Sequence, residues 1–424
     1  MVLIKTILEH ANRFRSQFNL TPNITWIRQA ANLDIPTDPS LGLNLEYTGM
    51  TGSISVKQAD VVLIDDFLDY QNPNTLTDLD YYAGRQSLNG PGMTYGVFSI
   101  VASAASPSGC SAYTYDLYGS IPYARGPWYQ YSEQLNDDFT VNGGTHPSFP
   151  FLTGMGGANR VAVFGYLGLR LLQDSFNINP SLPPQIQHLK YRTLFWQGHA
   201  ISAASNTTHT TLTRLPPTSA LGTANLAYLT APIPVTIAYD STFFNLTYTT
   251  PLTIPNRNAA ANLTIPGNLA QCRPVVSTNS TYLPGQFPLA AVDGASSTAW
   301  QPETDIPASI TVELGKAGWT RIAGFAFEWG SDPPATYAVS FANASEAEAG
   351  SSGGSVLVVS GNVSISAPYD AANAAVLMPV GTNSTNVTLP EPVWGGWWAT
   401  LTVSGNLNGT KTGGSVAEWA IIGA

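Results

Sequence analysis

The sequence is short of charge and of cysteine. Only 10% of its 424 residues are charged, and Lys and Arg (17) are outnumbered by Asp and Glu (27). A formal charge of −10 leaves no basic stripe for a phosphate backbone or an anionic surface, which argues against a nucleic-acid partner. Two cysteines, Cys110 and Cys272, are too few for a disulfide framework or a zinc cluster; one bridge can form and none is required. Long apolar runs are missing too. The run 161–172 contains Arg170 and falls short of the roughly 20 residues that span a bilayer, so no membrane span is expected. The one GxSxG match, GSSGG at 350–354, lies in a Ser/Gly turn rather than a strand-to-helix elbow, and there is no Walker A loop, no CxxC and no histidine pair at metal spacing. A hydrolase working through carboxylates survives these exclusions.

What is present is apolar and aromatic: 44% of all residues are hydrophobic and 11% are Phe, Trp or Tyr, enough for two or three packed domains. Eleven Asn-x-Ser/Thr acceptors begin at Asn19, Asn23, Asn206, Asn245, Asn262, Asn279, Asn343, Asn362, Asn383, Asn386 and Asn408. Nine lie beyond residue 200, in a Thr-, Ser-, Gly- and Pro-rich context that fits a secreted or vacuolar glycoprotein. The opening residues are no export signal, because Lys5, Glu9 and His10 interrupt the apolar core. Val2, Leu3, Ile4, Ile7, Leu8, Ala11, Phe14 and Phe18 instead recur at helical spacing. A glycoprotein that starts on such a helix reads as the C-terminal part of a longer precursor.

Up to residue 172 the pattern is helical, ending in a segment, 158–172, whose apolar residues cover nearly every face. Loops rich in Gly, Pro, Trp and Tyr interrupt it at 45–53, 86–94, 122–133 and 143–157. From about 173 short alternating runs such as 234–239 and 243–248 read as a small β-sandwich. Residues 259–268 look like a linker. The runs 309–314, 322–329, 337–341, 356–359 and 397–403 then indicate a second all-β unit, with a Ser/Gly turn at 350–354.

Cleaving a glycosidic bond takes two carboxyl groups, one donating a proton and one acting as base or nucleophile. In the helical region the carboxylates among aromatic loops are Glu46, Asp60, Asp80, Asp116, Glu133, Asp137 and Asp138. Glu133 closes the aromatic run RGPWYQYSE, a setting for a sugar ring to stack on, with Trp128 inside it; the alternative is a surface Glu beside core aromatics. Lys57 and Gln58, in VKQADV, suit sugar hydroxyls or simply a helix surface. His146, in GTHP, is either a pocket residue or structural.

The segments WIRQAANLDIP (26–36), LEYTGMTGSISVKQADVVL (45–63), DYYAGRQSLNGPGMTYGVFSI (80–100), SPSGCSAYTY (106–115) and the stretch 127–170 together closely resemble the fungal acid trehalases of glycoside hydrolase family 65. The resemblance covers residues 1 to about 260. It implies a multidomain α + β chain: the second half of an (α/α)6 barrel (1–172), a small β-sandwich (173–268) and a further β-sandwich (269–424). It implies that Lys57 and Gln58 hold a glucosyl unit and that Glu133 is the general base. The Gly-x-His match makes His146 a pocket residue, and the absence of a His-Ser-Ser stretch from 87–94 favours hydrolysis over phosphorolysis. The family's general acid, a Glu in an Asp-Pro-Asp-Glu-Tyr-like segment, falls upstream of this sequence.

The last region resembles a discoidin-like, galactose-binding-like β-sandwich through PGQFPLAAVDGASSTAW (284–300), with Asp293 and Trp300 as its most telling residues for a carbohydrate-binding module. The expectation is therefore an inverting α,α-trehalase whose isolated 424-residue chain is inactive. Its partners would be trehalose or a related α-glucoside and the N-terminal half of the same enzyme. No cofactor or metal is implied. The alternatives are a hydrolase of another α-glucoside, of kojibiose or glucosyl-galactose type, and a non-catalytic carbohydrate-binding glycoprotein.

Overall fold

A computed structural model describes residues 1–343, 355–365 and 383–424, apart from 53, 59, 69, 88, 89, 172, 173, 260 and 261. Among the described residues seven α-helices come first: α1 Val2–Gln17, α2 Ile24–Ala31, α3 Leu63–Phe67, α4 Thr75–Arg85, α5 Thr94–Ala105, α6 Cys110–Tyr118 and α7 Leu152–Arg160. The amphipathic pattern of residues 2–18 does form a helix, yet only Val2 is buried; Leu3, Ile4, Ile7 and Phe14 lie about half or more exposed. Helix α2 starts where the Asn23 side chain accepts from the Thr25 and Trp26 amides.

The hub is α5, ten of whose residues are buried. Ser99 and Ser103 are tolerated there because their hydroxyls donate to the Ala112 and Ser99 carbonyls, at 2.6 and 2.8 Å. Helix α7 crosses α5 closely: a Cβ on Gly96 would come within 2.7 Å of the Gly157 carbonyl carbon. This corrects the expectation of a loop over 143–157 followed by a helix from 158. Residues from Leu152 are already helical, the small residues serving the crossing, and a π-helical stretch Val161–Tyr166 continues the helix. The element ends near Gly168, at φ +66°, and position 172 lies outside the described residues. Arg160 pairs bidentately with buried Asp66 (2.8 and 2.9 Å) and lies over the Phe67 and Phe164 rings, tying α3 to α7.

The middle β region has two sheets around one core. One orders Thr242–Leu246, Ile233–Ile237 and Phe176–Ile178; the other orders Leu252–Pro255, His209–Arg214, His199–Asn206 and His188–Lys190, with Leu194–Trp196 also on His199–Asn206. The alternating runs expected at 234–239 and 243–248 are the hairpin Ile233–Ile237/Thr242–Leu246. Residue 258 of the expected linker's approach is pinned, its Nδ2 donating to the Leu182 carbonyl at 2.8 Å.

The C-terminal unit packs a five-stranded sheet (Val275–Thr278, Ala308–Glu313, Trp398–Ser404, Thr336–Ala342, Val356–Asn362) on a three-stranded one (Ser384–Trp394, Arg321–Glu328, Glu418–Gly423). Pairing within both is antiparallel. Alternate residues such as Ile310, Val312, Val339 and Leu401 meet Phe325, Phe327, Trp419 and Ile421 in a shared core. The Ser/Gly turn at 350–354 lies outside the described residues.

This unit is fastened to the helices. Cys110 at the start of α6 is disulfide-bonded to Cys272. The Tyr115 hydroxyl lies 2.5 Å from Ser297 Oγ, which in turn donates to Asp80 Oδ1 at 2.9 Å. The middle region holds the other end of α5: Arg257 donates to the Ser103 and Ser106 carbonyls (2.6 and 2.8 Å), charge against the negative end of a helix.

Candidate functional site

Glu133 follows a small hairpin, Ala124–Arg125 paired with Gln130–Tyr131. Its backbone is held on both sides: the Gly92 amide donates to the Glu133 carbonyl at 2.7 Å, and the Glu133 amide donates to the Ser148 carbonyl at 3.0 Å. Gly92 must be glycine here, since a Cβ would run into the Tyr123 ring. The half-buried Glu133 carboxylate accepts from the Ser148 amide at 2.9 Å through Oε2, and among the described residues Oε1 accepts nothing.

The structure brings Lys57 close to this frame through the segment that ends at Gly92. Val56 bridges Gln86 in parallel, and Gly90 sits so tightly on the Lys57 carbonyl that a side chain would not fit. Lys57 is exposed and Gln58 half-buried, with Gln58 Nε2 donating to Asp60 Oδ1 at 3.3 Å. Neither lies on a helix, which corrects the helix-surface alternative: α3 begins only at Leu63. Glu46 lies near Asp60, and burial together with that neighbouring charge raises its pKa.

His146 is exposed and packs over Phe139, ring centroids 5.6 Å apart. Its loop is shaped by buried Asn142, which donates to the Asn136 and Thr145 carbonyls and accepts from the Thr145 amide. Because the same loop supplies the Ser148 amide, Glu133 and His146 share one support. Trp128, 82% exposed at the hairpin tip, touches no core, and Tyr129 beside it has φ +54°.

The other acidic candidates have structural occupations. Asp137 is gripped by Arg125 (2.7 Å) and Ser132, and the guanidinium holds its pKa below the usual carboxylate range. Asp138 caps a turn by accepting from the Thr140 amide, which likewise lowers its pKa. Asp116 accepts from the Tyr166 hydroxyl at 2.7 Å, and burial raises it. The aromatic run expected to wall a sugar is exposed at Trp128 and Tyr129, whereas Tyr82, Tyr95, Tyr115, Tyr118 and Tyr123 belong to the buried core, Tyr95 and Tyr118 stacked at 4.0 Å.

Asp293 and Trp300 require a correction. Both are buried, at 1% and 0% exposure. Asp293 accepts from the Ala295 amide and the Thr298 hydroxyl, and Trp300 exchanges backbone hydrogen bonds with Val416. They build the sandwich and cannot meet a glycan.

The sequence singled out Asp80 and Asp293 but not their burial, and it did not single out Asp65, Asp78 and Glu418, which complete a set of buried acids. Burial raises Asp293 to about 7, and Asp65, Asp78 and Asp80 to about 6, while Glu418 is raised well above its ordinary value. Hydroxyls, amides and one another face them: Thr114, Thr298 and Asp80 around Asp293, and Asn268, the Gly294 amide, Asp293 and Glu328 around Glu418. Around Asp65 and Asp78 the one cue is the neighbouring Asn and Thr residues that hold them, Asn72 and Thr75. Among the described residues no group of three His, Cys, Asp or Glu is arranged to hold a metal, and no helix is long and apolar enough to cross a membrane.

These features define a protein of helices and several β-sheets, with a half-shielded carboxylate on the loops of its helical part. Across its whole length the chain is 46% identical to a cell wall acid trehalase of Arthroderma benhamiae and 46% identical to an acid trehalase of Emericella nidulans. It belongs to the fungal acid trehalase family. It spans 43% and 42% of those relatives' lengths, about two-fifths of each. A protein-glucosylgalactosylhydroxylysine glucosidase of Mus musculus is 28% identical over half of this chain and 29% of its own. No protein-family model matches. Among solved structures, a putative kojibiose phosphorylase from the human microbiome aligns with 55% of this chain and 32% of its own at 13% identity and a TM-score of 0.38. A chitosan-binding module from a Paenibacillus chitosanase/glucanase aligns with 37% of this chain and all of its own at 19% identity and 0.26. Likenesses of that size carry no argument.

Proposed function

We propose that the chain is the C-terminal part of a secreted or cell-wall acid α,α-trehalase, hydrolysing trehalose to two glucoses with inversion. The observation that carries this reading is the Glu133 frame, a carboxylate with one oxygen fixed by Ser148 and one open, inside a chain 46% identical throughout to acid trehalases. Glu133 acts as the general base, taking a proton from water as it attacks the anomeric carbon. The general acid comes from the N-terminal half, outside this chain, at the larger carboxylate separation of roughly 6.5–9.5 Å that leaves room for water. Lys57 and Gln58 bind hydroxyls of the glucosyl unit, and His146 and Trp128 line the approach.

The finer architecture belongs to the same proposal: 1–172 as the second half of an (α/α)6 barrel, 173–268 as a small sandwich and 269–424 as a discoidin-like sandwich. The uncovered apolar side of α1 supports it, because an upstream barrel half would pack there. Hydrolysis of another α-glucoside has less behind it, the glucosidase relatives being 28–29% identical over half the chain.

The test uses the completed enzyme. Glu133→Gln keeps the side chain's shape but cannot accept the proton, so kcat should fall by at least about 10²-fold with little change in trehalose binding. Azide with Glu133→Ala should yield β-glucosyl azide. Retention of more than about a tenth of the activity in Glu133→Gln would sink the assignment.

A further inference from the structure

The C-terminal sandwich buries three tryptophans completely, Trp300, Trp329 and Trp419, and holds another group at its surface: Trp319 and Trp394 are 59% and 67% exposed and Trp397 is half-buried. Leaving indoles in water forgoes their burial, and here they are fixed in place rather than loose. The Trp397 indole N–H donates to Glu313 Oε1 at 3.1 Å, and its carbonyl accepts from the Leu314 and Gly315 amides. Trp319 meets it edge to face, centroids 5.5 Å apart and planes at 64°. Behind them Gly318 lies against the Gly396 carbonyl and Gly395 against that of Gly318, so closely that no side chain fits at either position. The saddle exists to bring the Trp319 and Trp394–Trp397 loops together. Arg321 lies 5.6 Å over the Trp394 ring.

We propose that Trp319, Trp397 and Trp394 form a binding platform for a neutral gluco-configured polysaccharide, separate from the Glu133 site. A glucopyranose ring presents axial C–H bonds on both faces and equatorial hydroxyls around its edge. The faces suit pinned indoles, and Glu313 and Arg321 beside them accept from and donate to the edge hydroxyls. Galactose, with an axial hydroxyl, offers such a surface on one face only, so indoles that meet successive rings of a chain on alternating faces favour glucose. The rival occupant is the chain's own glycan at Asn343, whose Oδ1 accepts from the Trp397 amide at 3.4 Å.

The probe is laminarin, a β-glucan, cast into native gels beside gels containing a galactan, with protein secreted from a eukaryotic host. Laminarin should retard the protein and the galactan should not. Trp319→Ala and Trp394→Ala, both at exposed positions, should each weaken retention about tenfold with the melting temperature unchanged. Ser345→Ala, which removes the Asn343 acceptor signal while leaving Asn343 in place, should not alter retention. No retardation, equal retardation in the galactan, or full retention by both tryptophan variants would overturn the platform. Retardation seen only in Ser345→Ala would assign the indoles to the Asn343 glycan and overturn it equally.

Discussion

Raising the pH should loosen the seam between α4, α6 and the C-terminal unit, and Asp293 is the residue through which to measure it. Its carboxyl is fully enclosed, and burial lifts it from 3.8 to about 7. A folded-state pKa above the unfolded value means that the folded protein holds its proton longer than the unfolded chain does. The associated stability is fully present below about pH 4 and is lost as the pH rises through about 7. At 1.36 kcal/mol per unit, a rise of roughly three units corresponds to about 4 kcal/mol. Asp80, raised to about 6, and Glu418 add in the same direction. Thermal melts at pH 4.5 and 7.5 of the protein and of Asp293→Asn are the assay. Asn keeps the shape and an oxygen for the Ala295 amide and the Thr298 hydroxyl. The unmodified protein should melt well below its acid value at pH 7.5, and since about 3 kcal/mol of the effect falls between pH 4.5 and 7.5, Asp293→Asn should recover roughly 6–12 °C of that difference. If the two lose the same amount between pH 4.5 and 7.5, the buried Asp293 proton is not what makes the seam acid-stable.

Replacing Cys110 and Cys272 together by Ala should cost about 5 kcal/mol in the chain-entropy account of a loop this long, read as a lower denaturant midpoint. Arg160→Met leaves buried Asp66 without its partner and should cost about 3–5 kcal/mol, with Asp66→Asn/Arg160→Met less harmful than the single change, measured by urea unfolding. Glycopeptide mapping should find Asn386 occupied in preference to Asn383, since Asn386 is exposed whereas the half-buried Asn383 donates to the Gly330 carbonyl at 2.7 Å.

The strands of the β units were legible because their inward residues alternate: 309–314 and 322–329 correspond to Ala308–Glu313 and Arg321–Glu328, one residue off. Ser384–Trp394 was not, because Pro390 and Pro392 and three Asn and Thr positions hide its pattern. It is an edge strand, where proline is tolerated. Helix α7 was obscured by its glycines, which ordinarily mark a loop; Gly154 and Gly157 are there because the Gly92 carbonyl and the Met93 carbonyl come within about 3.1 Å of where a Cβ would stand. At the site, Glu133 was singled out by its aromatic neighbours. Its holding by Gly92 and Ser148 was illegible, since both bonds are made by backbone. Asp293 and Trp300 stood out for their motif, yet a motif cannot say whether a residue faces the core or the solvent.

The position of Glu133 is set from a distance. Gly92, whose amide holds the Glu133 carbonyl, lies two residues before α5, so whatever fixes the head of α5 fixes the carboxylate's frame. Helix α6 holds that head through the Tyr95–Tyr118 stack and the Ser99 bond to the Ala112 carbonyl. In turn α6 is bound to the C-terminal unit by Cys110–Cys272 and Tyr115–Ser297, while Arg257 and the Ser181 hydroxyl anchor the tail of α5 from the middle region. Both β units therefore brace a single helix from its two ends. Asp80, Asp293 and Glu418 lie in the brace at the α6 side, so the pH that ionises them acts on the support of α5 before it touches Glu133. Loss of activity on neutralisation should thus follow the seam, and Asp293→Asn in the completed enzyme should shift the alkaline limb of the pH–activity profile upward while leaving the acid limb in place.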